Sequence, residues 1–277
     1  MLEPGEPVLL EQGGSVFALI RRADPVDAIT PYGYGGPVGR DVGAFWGAYD
    51  EWCRRNGVVT TFVRFHPLYG NARDAPVHVE PLASTIAWRL GQDDLEAGMH
   101  LNHRRGVRKA RHAGVSVSSA EGVGEFVPLY EETMRRANAT PFYFFAPEYW
   151  DALGRADVAR FDAHLGDESV ASMLCLASRP WLHYHLGASS DEGRRIGANT
   201  LLFLEAATWA KERGYERFHL GGGVGGASDS LHEYKRRFDP GGLVEAAVGK
   251  AVHDEVAYGK LTGGAAGLGG FFPAYRR

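Results

Sequence analysis

Residues 159–186 most narrowly limit what this chain can become. Three runs rich in apolar and β-branched residues, Ala159–Leu165, Ser169–Ala177 and Trp181–Leu186, are separated only by Gly166-Asp167-Glu168 and Ser178-Arg179-Pro180. Breaks that short read as hairpin turns, so the three runs predict an antiparallel meander. The strongest helical pattern follows at Ala198–Arg213 and stops at Gly214; a strand over Arg217–Leu220 comes next. Upstream, a helix over 41–56 carries Phe45, Tyr49 and Trp52 on one stripe, and a strand follows at 58–65. Further strands are predicted at 16–20, 84–90, 115–117 and 244–252, with helices at 101–114, 125–138, 147–154 and 229–238. Meanders mixed with helices give an α/β (α+β) chain with mixed, largely antiparallel sheets rather than a plain doubly wound sheet.

Composition removes several classes of function. The chain has 277 residues, 44% of them hydrophobic, enough for a sizeable core. Its formal charge of −4 argues against a DNA-coating protein, although local basic patches are compatible with it. Two cysteines, Cys53 and Cys175, are too few for a disulfide framework or a cysteine-rich zinc site. The acidic start Met1-Leu2-Glu3-Pro4-Gly5-Glu6 does not read as a signal peptide, and no run is long enough to span a membrane. A soluble, cytoplasmic protein is expected.

Glycine is about twice as frequent as usual, with 37 residues, 13 of them clustered at 33–36, 221–226 and 263–270. Gly221, Gly223 and Gly226 formally spell a dinucleotide fingerprint. The next helix begins only at Asp229, too late for that fingerprint, and Ala227 stands where a phosphate loop needs lysine. The cluster is read as a ligand-facing loop, with close backbone packing as the plainer alternative.

Two further groups bear on chemistry. His183 and His185 share one face of a strand, with Tyr184 on the other. A metal there would need a third ligand such as His219, and structural or substrate-contacting histidines are the preferred reading, with no metal expected. The helix at 101–114 holds Arg104, Arg108 and Arg111 on one face and Arg105 and Lys109 on the next, with no acid between them. Like charges at this spacing repel, and an anionic partner such as a phosphate would relieve that, with a solvated charged face as the plainer alternative.

Taken in order, several segments resemble the FemABX family, peptidyltransferases built from two acetyltransferase-like (GNAT) domains, and the related FemAB-like GNAT acyltransferases. They are PYGYGGP at 31–37, LNHRRGVRKARHAGV at 101–115, HYHLGAS at 183–189, GANTLLFLEAATWAKERGY at 197–215, FHLGGG at 218–223 and EYKRRFDP at 233–240. The resemblance implies two GNAT-like halves meeting at a cleft, taken as 1–120 and 121–277, with the tail after about 253 returning to the first. It implies an aminoacyl-tRNA donor, a small-molecule, nucleotide-linked or peptide amine acceptor, and amide formation without a cofactor. The family's lysine of catalysis corresponds to Lys235 in Tyr234-Lys235-Arg236-Arg237-Phe238. Its ammonium would stabilise the oxyanion that develops on the attacked carbonyl, while Tyr184 or His185 relays the amine proton. Arg104, Arg108 and Lys109 match the family's basic segment and are expected to hold nucleotide or RNA phosphates. Tyr34, Arg64 and Tyr143 are expected acceptor contacts; Asn199, Gly222, Gly223 and Phe238 complete the expected binding residues. The stretch Arg194–Asn199 aligns with the loop that cradles coenzyme A pyrophosphate in ordinary GNAT enzymes, with Asn199 in place of the last small residue. Acetyl-CoA or another acyl-CoA, used on an amino sugar or small amine, is therefore the alternative donor. A non-catalytic module binding a phosphorylated glycan or nucleotide is the alternative outside enzymes.

Overall fold

The computed structural model describes residues 4–264 and 267–277. In chain order its elements begin with β1 (Glu6–Gln12), β2 (Ser15–Arg22), β3 (Asp27–Ile29), β4 (Val38–Gly39), α1 (Val42–Arg55), β5 (Thr60–Arg64) and β6 (His78–Arg89). Next come α2 (Leu95–Gly98), α3 (Leu101–His112), β7 (Val115–Glu121), α4 (Phe126–Arg136) and α5 (Pro147–Gly154). The meander β8 (Val158–Leu165), β9 (Glu168–Ser178) and β10 (Trp181–Ser189) precedes α6 (Asp191–Ile196) and α7 (Ala198–Glu212). The chain then runs through β11 (Arg217–Gly221), α8 (Ser230–Arg236), β12 (Leu243–Val252) and α9 (Glu255–Thr262).

The chain forms two compact units, a central one over Ser84–Val244 and a flanking one made of the residues up to Ala83 with Glu245–Arg277. The expected boundary at 120 therefore falls inside the central unit, within the edge strand β7. The divisions lie instead inside β6 and β12. The correction has a simple cause: a compact unit is defined by which strands pair and pack, and a local composition break such as Gly122 carries no such information. The C-terminal stretch belongs to the same unit as the N-terminal one.

In the central unit the strand order is β6-β11-β10-β9-β8-β7. The β8/β9 and β9/β10 pairs are tight hairpins with Leu165 opposite Glu168 and Ser178 opposite Trp181. β10 pairs in parallel with β11, and α7 crosses between them. Helix α7 buries Thr200, Leu201, Leu202, Phe203 and Leu204 in succession, so it is enclosed on both sides rather than amphipathic. Trp88, Phe218 and Phe238 complete that core. A second cluster, including Phe126, Tyr130, Trp150, Leu174 and Leu186, forms beneath α4 and α5.

The flanking unit repeats the device on a smaller scale. Its order is β1-β2-β3-β5-β12, with β4 on β2. Here β3 and β5 are the parallel pair, and α1 lies between them in sequence. Each unit thus places one helical crossover within an otherwise antiparallel sheet, the mixed α/β pattern of a GNAT-like fold. Phe17, Phe45, Trp46, Tyr49 and Phe65 fill the flanking core. The hairpin β1/β2, turning at Gly13-Gly14 with φ of 61° and 74°, was not expected from the sequence.

Candidate active site

The candidate site is built where β10 and β11 stop pairing. Their parallel register covers only Trp181–His183 against Arg217–His219. Beyond it both strands are irregular toward their other partners: β10 between Tyr184 and Leu186, and β11 between His219 and Gly221. An extra residue at such a point bends a strand and re-aims its side chains. Tyr184 packs on the α7 side against Phe203, with ring centroids 5.1 Å apart, whereas Leu186 joins the cluster under α4 and α5. Tyr184 also lies over Gly187, where an added Cβ would stand 2.4 Å from its hydroxyl.

After β11 the chain enters the glycine loop. Asp229 fixes that loop to α8: one carboxylate oxygen caps the helix by accepting from His232 N at 2.9 Å, and the other accepts from Val224 N at 3.0 Å. Those backbone bonds hold the Asp229 carboxyl below its ordinary pKa. Gly223 is required here, because a Cβ would meet Ala227 O and Asp229 Oδ1 at 2.2 Å.

Lys235, on the last turn of α8, reaches back across this turn. Its Nζ donates to Gly222 O at 2.7 Å and stands 5.3 Å from the centre of the Tyr184 ring. The residue is only 6% exposed, and burial lowers its pKa to about 8, against the opposing pull of the Asp229 charge. At neutral pH it is a mostly protonated, preorganised donor with a partner for one N–H. That is the equipment needed to meet a developing oxyanion. The structure thus brings together Lys235, Tyr184, Gly222 and Gly223 from the expected set.

His185 lies beside them in sequence but is engaged elsewhere, hydrogen-bonded through Nε2 to the hydroxyl of Tyr149 on α5. Burial lowers the pKa of both His183 and His185 to about 4, so both imidazoles are neutral at physiological pH. His183 stacks edge-on to His219, whose Nε2 bonds the Thr85 hydroxyl at 3.0 Å. Among the described residues no group of three or more His, Cys, Asp or Glu is placed to hold a metal ion. Tyr149 escaped sequence reasoning, since only the fold brings an α5 side chain to β10.

One expectation is corrected. Phe238 is fully buried, packed against Trp88, His103, Phe203 and Tyr234. It is a core residue rather than a substrate contact; spacing in a motif cannot distinguish the two. Lys109 is exposed and donates one N–H to Arg195 O at 2.6 Å at the end of α6, which leaves two donors for an anion.

The basic helix α3 is anchored to α8 by its buried edge. His103, neutral with its pKa lowered by burial to about 4, donates from Nε2 to Tyr234 O at 2.8 Å. Gly106 seats α3 on the α6–α7 junction: Gly197 has φ of 85°, and a Cβ on it would stand 2.8 Å from Gly106 O. Arg111 is consumed by Glu96 at 2.7 Å and Glu205 at 3.6 Å. Arg104, Arg105 and Arg108 have no ion-pair partner among the described residues, and Arg104 Nε is buried without a hydrogen-bond partner there. Asn199 is half-buried in the first turn of α7.

The remaining expected contacts keep their own surroundings. Tyr143 is half-buried, and its carbonyl accepts from the Tyr130 hydroxyl at 3.0 Å. In the flanking unit, Arg64 donates to Thr30 O at 3.3 Å and lies 5.2 Å over the Phe62 ring. Tyr34 is 40% exposed and edges His66 at 6.2 Å.

Comparison with known proteins agrees with this geometry. Residues 99–236 match a family model described as an acetyltransferase (GNAT) domain. Among solved structures, FemX aligns with a TM-score of 0.69 at 14% identity, covering 92% of this chain and 89% of that one. The L-PGS of Bacillus licheniformis aligns with a TM-score of 0.66 at 14% identity, covering 88% and 82%. The C-terminal (DUF2156) domain of a candidate lysylphosphatidylglycerol synthetase from Agrobacterium fabrum aligns at 0.64 and 16% identity, covering 96% and 92%. No curated protein matches the sequence. At these identities the solved structures establish the fold, and the family model identifies the domain that carries Lys235, Tyr184 and the basic helix. The chain carries a GNAT domain at residues 99–236, an acyltransferase domain, and has the fold of the FemX-like proteins.

Proposed function

We propose that this protein moves an aminoacyl group from aminoacyl-tRNA to an amine acceptor, in the cytoplasm and without a cofactor. The observation that carries the reading is the buried ammonium of Lys235, held on Gly222 O beside Tyr184. The acceptor's neutral amine attacks the ester carbonyl, forming the C–N bond and placing the carbonyl pair on oxygen. Lys235 meets that oxyanion with its remaining N–H groups. Collapse breaks the C–O bond to the terminal ribose, and the proton lost by the amine passes to the ribose oxygen, with the Tyr184 hydroxyl as relay. His185, at a pKa of about 4, is too weak a base to hold that proton, and its role is to position Tyr149 and the bulged strand. Arg104 and Arg108 supply cations for the phosphates of donor or acceptor, and Asn199 with the first amides of α7 offers donors nearby.

The test is a transfer assay. Radiolabelled aminoacyl-tRNAs and acyl-CoAs are offered separately with a panel of amine acceptors, and the products are read by mass spectrometry. Label moving from aminoacyl-tRNA, reduced about 10²–10³-fold in Lys235→Ala, is the expected result. Transfer from acyl-CoA alone would replace this reading with an N-acyltransferase acting on an amino sugar or small amine. Ligand binding without product from any donor would leave a binding module.

A further inference from the structure

The flanking unit contains a cavity of about 720 Å³ that the transfer chemistry does not use. Its volume lies within the range of about 300–1,000 Å³ common for small-molecule sites. Its wall is drawn from α1, the end of β12 and α9, and includes Trp46, Asp50, His253, Glu255 and Tyr258. We propose that this cavity binds a small primary ammonium carried on a hydroxylated frame, an amino sugar or amino alcohol.

Three features point to that chemistry. The first is charge. Asp50 and Glu255 both line the cavity, while Lys250, the one lysine or arginine on its wall among the described residues, is already used. Lys250 Nζ donates to Glu80 at 2.5 Å, Leu268 O at 2.8 Å and Gly270 O at 3.1 Å, which exhausts its three donors. Arg54 pairs with Asp50, but its side chain is 65% exposed, so solvent screens that partner. Glu255 has no ion-pair partner among the described residues.

The second is a fixed hydrogen-bond direction. His253 donates from Nδ1 to Asp50 Oδ1 at 2.8 Å. Its Nε2 then accepts from the Thr61 hydroxyl at 2.9 Å, and Thr61 accepts from Tyr49 at 2.7 Å. Burial lowers the His253 pKa, which favours the neutral ring beside Asp50 and leaves the exposed Arg54 as the cation on that carboxylate. The chain locks the Asp50 carboxylate in place, a positioning role of the kind binding sites need.

The third is the wall itself. Trp46 and Tyr258 are 4% and 6% exposed, and neither the Trp46 indole N–H nor the Tyr258 hydroxyl has a hydrogen-bond partner among the described residues. Those two atoms are closed to solvent, whereas His78 and Thr262 on the same wall offer polar groups to the ligand's hydroxyls. Aromatic faces beside carboxylates also favour a cation.

Isothermal titration of the whole chain with glucosamine, glucose and glucuronate, at mildly acidic pH, separates charge from shape. Glucosamine is expected to bind about tenfold more tightly than glucose, with glucuronate weakest. The double variant Asp50→Asn, Glu255→Gln should reduce glucosamine to the affinity of glucose and leave glucose unchanged. Both substitutions keep the side-chain shape, and the amide oxygen that Asp50→Asn introduces could still accept from His253. Should Asp50→Asn fail to fold, Glu255→Gln alone, at an exposed position, is expected to lose part of the preference. Equal binding of glucosamine and glucose, a preference that survives the variants, or no binding of any of the three at tens of millimolar would overturn the proposal. None of these readouts depends on transfer activity.

Discussion

Lys235 is the residue on which the proposed chemistry turns, and its environment gives the pH dependence a definite sign. Its folded pKa, about 8, lies below the ordinary 10.5 because burial penalises the charge. The ammonium that stabilises the oxyanion is therefore present below about 8 and lost above it. Turnover is expected to fall as pH rises through about 8, and Lys235→Arg, which stays charged, should remove that inflection from a plot of initial rate against pH. The same shift raises stability with pH: between about 8 and 10.5 the unfolded chain holds the extra proton, so the folded state gains as pH rises through that window. Phe238 belongs to a different account. It is fully buried among four aromatic partners, so Phe238→Ala should cost about 3–5 kcal/mol in urea unfolding. Lys235→Ala, by contrast, should reduce the rate far more than any change in fold requires.

Among the elements, α8 and the glycine loop act as one piece because Asp229 bonds both. Asp229→Ala removes the cap from α8 and the tie to Val224 N, so the melting temperature is expected to fall. It also removes the negative charge that opposes burial at Lys235. The Lys235 pKa then drops further, and the alkaline limb of the rate profile is expected to move to lower pH. A capping role alone would lower stability without moving that limb. Helix α3 makes a related point. Its cations looked equivalent on the sequence, yet Arg111 is spent on Glu96 and Glu205, and Lys109 gives one of its donors to Arg195 O. Arg104, Arg105 and Arg108 have no ion-pair partner among the described residues and stand open to a phosphate.

For the whole molecule, the partition of the chain matters most. The C-terminal segment is tied into the flanking unit by Arg276, which bonds Asp27 Oδ2 at 2.9 Å, Ala23 O at 2.9 Å and Pro25 O at 2.6 Å. Asp27 is fully buried and also takes Arg22 at 2.5 Å. Tyr275 adds a bond to Thr60 at 2.7 Å, and Phe272 packs with Tyr258. Deleting residues 271–277 leaves the Asp27 carboxylate with one of its two cations. Hydrogen exchange is expected to accelerate across β2, β3 and β5, with protection in the central unit's meander unchanged.

Much of this was legible because it is local. Three-residue breaks between β-rich runs leave only hairpins, and glycine at a helix end marks a stop. A lysine in a motif is a candidate whatever the fold. The rest depends on contacts between residues far apart in sequence. The sequence by itself determined the elements of the meander, helix α7, the basic helix and the candidacy of Lys235 and Tyr184. Only the tertiary structure decided that β6 and β12 divide between two units, that Phe238 is core, that Lys109 donates to Arg195 O and that Tyr149 reaches His185. It alone decided that Lys235 is buried on Gly222 O. Propensity and spacing act over a few residues, whereas burial, strand pairing and the pKa of a buried ammonium arise from neighbours that only the folded chain brings together.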